Sequence, residues 1–126
     1  MEQTLIERIY QVVEQVPLGL VTTYGDVAAI VGAGCDARTV GEALGALDDV
    51  RSKQVPWQRV INSRGGISLR GLAQRAALES EGVAFDENGH VSLVRYRWGG
   101  PDAAWAAEHG FRVLPPHDDA DQLRLL

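Results

Sequence analysis

The sequence predicts a mainly α-helical domain of the winged helix-turn-helix kind over residues 1–98, and three observations predict it. Apolar residues recur at helical spacing through the N-terminal half. Two short helices there are separated by a tight glycine-containing turn. An Asn88-Gly89 pair then sits between short apolar runs, the signal of a hairpin placed as a wing. Taken in order, Leu5, Ile6, Ile9, Val12, Val13 and Val16 describe an amphipathic helix over 3–16, ended by Pro17-Leu18-Gly19. Thr23 stands as an N-cap with Asp26 three residues on, a variant capping box. Val27, Ile30 and Val31 make a short helix stopped by Gly32. Asp36 caps the next helix, whose apolar stripe is Val40, Ala43, Leu44 and Leu47. Arg38 falls in its first turn, and in this motif the second helix enters a DNA groove.

Residues 48–54 are polar and read as a loop, and Asn62 to Gly66 as a turn. Ile67-Ser68-Leu69 is a short extended piece, 72–81 a helix closed by Gly82, and 94–98 a final extended segment. Gly99-Gly100-Pro101 marks a boundary. Residues 99–126 form an acidic C-terminal tail, helical at most over 103–108 and otherwise loosely held. Its Trp105, Phe111, Asp118, Asp119 and Asp121 either contact a partner or are disordered.

A chain of 126 residues fits one small domain. No apolar stretch approaches the roughly 20 residues that span a bilayer, and Met1-Glu2-Gln3-Thr4 lacks the basic start of a signal peptide. The expected place is the cytoplasm, without membrane contact. A single cysteine, Cys35, excludes an internal disulfide. His90, His109 and His117 lie far apart with no metal-ligand spacing, so neither metal nor cofactor is expected. The net charge of -5 argues against nucleic-acid binding as a bulk number, but its distribution does not. From Arg38 to Arg75 there are seven positive and three negative residues; from Asp102 onward there are five acids and two arginines. A basic stretch this sparse is by itself more often a solvated face than a DNA footprint.

The chemistry is concentrated in Val55-Pro56-Trp57-Gln58-Arg59-Val60-Ile61. This segment resembles the active-site segment of the O6-alkylguanine-DNA alkyltransferases, whose pattern is Pro-Cys-His-Arg-Val. Thr23-Tyr24-Gly25-Asp26-Val27-Ala28 resembles that family's tyrosine-bearing helix start. Ala37-Arg38-Thr39-Val40-Gly41 resembles its recognition helix, and Leu78-Glu79-Ser80-Glu81-Gly82 its late helix ending in Glu-Gly. The four matches occur in the right order over about residues 3 to 98. The resemblance implies a fold like the C-terminal domain of those transferases, bound in the minor groove of duplex DNA. It implies that Tyr24 rotates a nucleotide out, and that Arg38 fills the gap in the base stack, with Thr39 and Gly41 beside it on the DNA-binding helix. A planar guanidinium suits that stacking.

The departure from the family lies at two positions. Trp57 stands where the transferases carry the nucleophilic cysteine, and an indole cannot replace a thiolate. Gln58 stands where they carry histidine, and an amide takes up no proton near neutral pH. Glu81 matches the glutamate that orients that histidine and is left a structural part beside the pocket. Loss of both chemical groups with Pro56, Arg59 and Val60 retained is the pattern of the alkyltransferase-like proteins. The resemblance therefore implies a non-enzymatic, monomeric sensor of O6-alkylguanine that hands the lesion to nucleotide excision repair proteins.

From the residues alone, Trp57 is either a flat wall for an extruded base or a filler of a dead site. Arg59 reads as a bonder of backbone carbonyls near the pocket. No asparagine hinge occurs between residues 48 and 54, and Ser68-Leu69-Arg70-Gly71 stands in place of the transferases' Tyr-Ser-Gly-Gly loop, which makes Arg70 a candidate for the pocket rim. Three alternatives stay open: an alkyltransferase using Cys35, whose pKa a helix N-terminus would lower; a sequence-reading winged-helix regulator, dimeric on a palindrome; and a degenerate domain that binds only protein.

Overall fold

The computed structural model describes residues 4–67 and 71–116. Its first layer is three helices, α1 (Leu5–Val13), α2 (Tyr24–Val31) and α3 (Ala37–Gly45). Each begins at the side-chain cap its sequence provides. Thr4 accepts from the Glu7 amide, Thr23 from the Asp26 amide at 3.0 Å, and Asp36 from the Thr39 amide at 2.8 Å. Ile9, Val12, Val13, Val27, Ile30, Val40, Ala43 and Leu44 meet in one core between them. The first helix is shorter than expected. The amides of Gln15 and Val16 reach back only three residues, to the Val12 and Val13 carbonyls, so the last turn tightens ahead of Pro17. Val16 is still buried. The capping box at Thr23 is half made: the Asp26 carboxylate takes two bonds from Arg97, at 2.7 and 2.8 Å.

Two two-residue strands, β1 (Thr22–Thr23) and β2 (Val60–Ile61), pair in parallel with Thr22 opposite Val60 and Thr23 opposite Ile61. Pairs this short leave no periodic trace in a sequence. Their consequence is large, because they set the 55–61 segment beside the start of α2. A second core lies under them, made of Val21, Ile61, Leu78, Val83, Val91 and Tyr96. Leu78 comes from α4 (Gly71–Ser80).

The wing is a tight hairpin. Asp86 accepts the amides of Asn88, Gly89 and His90 through its side chain and carbonyl, and Phe85 and Val91 form one antiparallel bridge. The turn at Asn62–Gly66 docks on it, with the Val91 amide donating to the Gly65 carbonyl at 2.8 Å. Gly65 has φ +86, and a Cβ there would stand 2.2 Å from the Val91 carbonyl oxygen, so no other residue fits.

Two expectations are corrected. Residues 94–98 are not extended throughout: Leu93–Tyr96 is a single helical turn, α5, capped by Ser92. The Tyr96 hydroxyl is drawn inward to accept the Ala84 amide, and only Arg97 and Trp98 run alongside Val21. The segment after Pro101 is not loosely held as far as residue 116. It forms α6 (Ala103–His109), and Ala106 and Phe111 enter the first core. Residues 117–126, with Asp118, Asp119 and Asp121, lie outside the described residues, as does the Ser68-Leu69 part of the expected extended piece. No described helix is long and apolar enough to cross a membrane.

Candidate nucleic-acid interface and base pocket

The 55–61 segment turns sharply before it enters β2. Pro56 has ψ +67, and Trp57–Arg59 forms one 3-10 turn. Trp57 is half-buried against the first core, as is Tyr24 at the first position of α2. The indole and the phenol thus flank the point where β1 and β2 lie side by side.

Behind Trp57 sits a carboxylate saturated with donors. Glu81 accepts from the Gln58 amide at 2.8 Å, from Arg59 Nε at 2.9 Å and from Arg59 Nη2 at 3.1 Å. Burial opposes its charge, but the bonds from Arg59 and Gln58, the Arg59 charge and the Gly19 amide outweigh it and hold the carboxyl below its usual range. The third arm of Arg59 donates to the Val16 carbonyl at 2.8 Å, tying the turn to the end of α1. Gln74, fully buried on α4, donates to the carbonyls of Gln58 and Val60 at 3.1 and 2.9 Å. Sequence reading missed it; the available signal was an amide on the same helical face as Leu78. The result is a rigid, neutralised platform. Its carboxylate and its guanidinium are spent on one another and on Gln58 and Val16.

Arg38 projects from the first turn of α3 with its side chain 87% exposed, held among the described residues by an i,i+4 contact to Glu42 at 3.2 Å. Such a pair contributes roughly 0.3–0.5 kcal/mol and is easily exchanged. The other candidate residues are placed differently from one another. The Thr39 amide and hydroxyl both donate to Asp36, so its side chain serves the cap. Gly41 faces the Tyr24 ring, a Cβ there falling 3.9 Å away. Pro56, Trp57 and Gln58 are half-buried in the turn, whereas Val60 is fully buried in β2. Arg70 lies outside the described residues. Cys35 packs against the first core, and burial, then the Asp36 charge, push its thiol up rather than down. A cavity of about 180 Å³ between Gln15, Trp98 and Trp105 is lined by none of these residues.

Four of the seven positive residues in the basic middle of the chain are spent on ion pairs. Arg38, Arg51, Arg59 and Arg75 each hold a carboxylate, of Glu42, Glu7, Glu81 and Glu79.

Comparison with known proteins agrees with this geometry. Residues 4–83 match the family described as 6-O-methylguanine DNA methyltransferase, DNA binding domain. A DNA base-flipping protein of Vibrio parahaemolyticus is 44% identical over 101 residues, covering 78% of this chain and 98% of that protein. Alkyltransferase-like protein 1 of Schizosaccharomyces pombe is 41% identical over 103 residues, covering 78% and 91%. The crystal structure of S. pombe Atl1 in complex with damaged DNA containing O6-carboxymethylguanine superposes with a TM-score of 0.65 at 38% identity, over 78% of this chain and 98% of that one.

Proposed function

The chain belongs to the 6-O-methylguanine DNA methyltransferase DNA-binding family, within it to the alkyltransferase-like proteins, and from that premise we propose that it detects O6-alkylguanine in duplex DNA by flipping the nucleotide and holding it unreacted. The observation that carries this reading is a Glu81 carboxylate fully occupied by Gln58 and Arg59, the two residues that follow Trp57 in its turn. A site so built has nothing to attack an alkyl carbon and nothing to move a proton, yet it keeps a half-buried aromatic wall. An extruded purine has apolar faces, and an indole offers a matching one.

Extrusion costs a few kcal/mol of pairing and stacking, and less for a lesion that pairs badly. Tyr24, at the N-terminus of α2, crowds the phosphate of the target nucleotide. Arg38 releases Glu42 and stacks where the base was. Arg59 and Glu81 hold the Trp57 turn in place, and Arg70 closes the rim. The protein acts as a monomer in the cytoplasm, and the bound complex marks the lesion for nucleotide excision repair.

The test is binding to two duplexes at fixed salt, alike except for one guanine or O6-methylguanine. The lesion duplex binds roughly tenfold or more tightly, a difference of about 1.4 kcal/mol, and Trp57→Ala abolishes the preference. Equal affinities would sink the reading in favour of a sequence-reading regulator.

A further inference from the structure

A helix-turn-helix that binds DNA needs positive charge near the phosphates. Between Tyr24 and Gly45 this chain has three acids, Asp26, Asp36 and Glu42, and one base, Arg38. Arg97 neutralises Asp26, and Glu42 takes Arg38. The unit as folded therefore offers a DNA backbone almost no unspent cation of its own.

One is brought to it from the far end of the chain. After α6, Gly110 reverses the backbone in the left-handed region, and Phe111 drops into the first core. Trp105 stacks on the Phe111 ring at 5.2 Å from one side. Arg8 covers that ring at 4.4 Å, and bonds the Gly110 and Val31 carbonyls at 2.8 and 3.3 Å. The Arg112 amide then donates to the Ile30 carbonyl at 2.8 Å, which fixes it across the C-terminal end of α2. Its side chain lies over Gly32, the first residue of the turn into α3. A Cβ on Gly32 would stand 2.9 Å from Arg112 Nε and 3.1 Å from Cζ. Arg112 is exposed, and its guanidinium has no hydrogen bond or ion pair among the described residues.

We propose that Arg112 is a DNA-backbone contact: its guanidinium, held over the helix-turn-helix turn, binds a phosphate of the strand that flanks the α3 site. The turn directly precedes the helix end that enters the groove, so a cation laid on it faces the adjoining backbone. A guanidinium fork suits phosphate. Arg112 lies beyond the family match, which ends at residue 83. About a fifth of this chain has no counterpart in the Vibrio protein, which the other 78% covers almost completely. Arg112 thus sets beside the motif a cation that residues 24–45 do not hold free.

This inference rests on the reading of the chain as a duplex-DNA binder, and the test separates the two. Affinity of the full chain, of Arg112→Gln and of Arg112→Lys is measured against NaCl concentration on the guanine and the O6-methylguanine duplex. Loss of one phosphate contact lowers the slope of log affinity against log salt by about 0.9. Arg112→Gln shows that drop on both duplexes and weakens both by the same factor, leaving the lesion preference unchanged, while Arg112→Lys keeps the slope. An unchanged slope for Arg112→Gln, or an equal drop for Arg112→Lys, would overturn the contact and leave Arg112 a packing residue. A wild-type chain with no lesion preference but the expected drop defeats the sensor reading alone. A wild-type chain that binds neither duplex defeats both.

Discussion

Glu81 decides more at the scale of single residues than any other side chain. With its oxygens held by Gln58 and Arg59, it is both the anchor of the Trp57 turn and the counter-charge of Arg59. Its replacement by Gln leaves Arg59 partly buried without a counter-charge, since the Arg59 side chain is 15% exposed. That change costs about 3 kcal/mol, read as a lower midpoint in chemical denaturation. The pH dependence has a defined sign. A carboxyl held below its ordinary value of 4.5 stabilises the fold fully above that pH. The contribution fades as pH falls through the lower folded value. Wild type therefore loses stability in acid below about pH 4.5 faster than Glu81→Gln does. That Trp57 and Gln58 supply neither a thiolate nor a base was legible in the sequence, because side-chain chemistry alone decides it. The roles of Gln74 and of the Thr39 hydroxyl were not, because each depends on a partner that only the fold or cap supplies.

At the scale of elements, local rules worked where local interactions decide. Thr23 and Asp36 cap their helices as their positions suggest, and the Asn88-Gly89 turn closes a hairpin. They failed where tertiary contacts decide. Leu93–Tyr96 coils because Ser92 caps it and Tyr96 is pulled inward to Ala84, neither of which a run of apolar residues reveals. The docking of the 62–66 turn on the wing is of the same kind, and Gly65 carries it. Substituting Ala at Gly65 drives a Cβ into the Val91 carbonyl, 2.2 Å away, at a φ of +86. The expected loss is about 2 kcal/mol or more, from left-handed strain and the displaced wing. Urea denaturation reads it as a lower midpoint with an unchanged slope.

Across the whole molecule, the two cores and the short parallel pairs bring three distant stretches of sequence to one place. Thr23-Tyr24, Trp57-Gln58-Arg59 and Glu81 converge, with the exposed Arg38 on the neighbouring helix α3. Four ordered motifs announced that convergence; its physical cause, a two-residue strand on each side, was invisible. The C-terminal segment was misread from its Gly-Gly-Pro boundary and acidic composition. Its anchors are single residues, Ala106 and Phe111 in the first core, with Arg8 of α1, some hundred positions away, over the Phe111 ring and on the Gly110 carbonyl. The central claim is that the assembled site holds an alkylated base and does no chemistry on it. The most direct measurement is the fate of the methyl group. The protein is incubated with one equivalent of O6-methylguanine duplex under conditions where the complex is shown to form. Its intact mass and the base composition of the DNA are then determined. An unchanged protein mass with all of the O6-methylguanine recovered is the expected result. A protein heavier by one methyl group, with the gain abolished by Cys35→Ser, would contradict the account and make the chain an alkyltransferase.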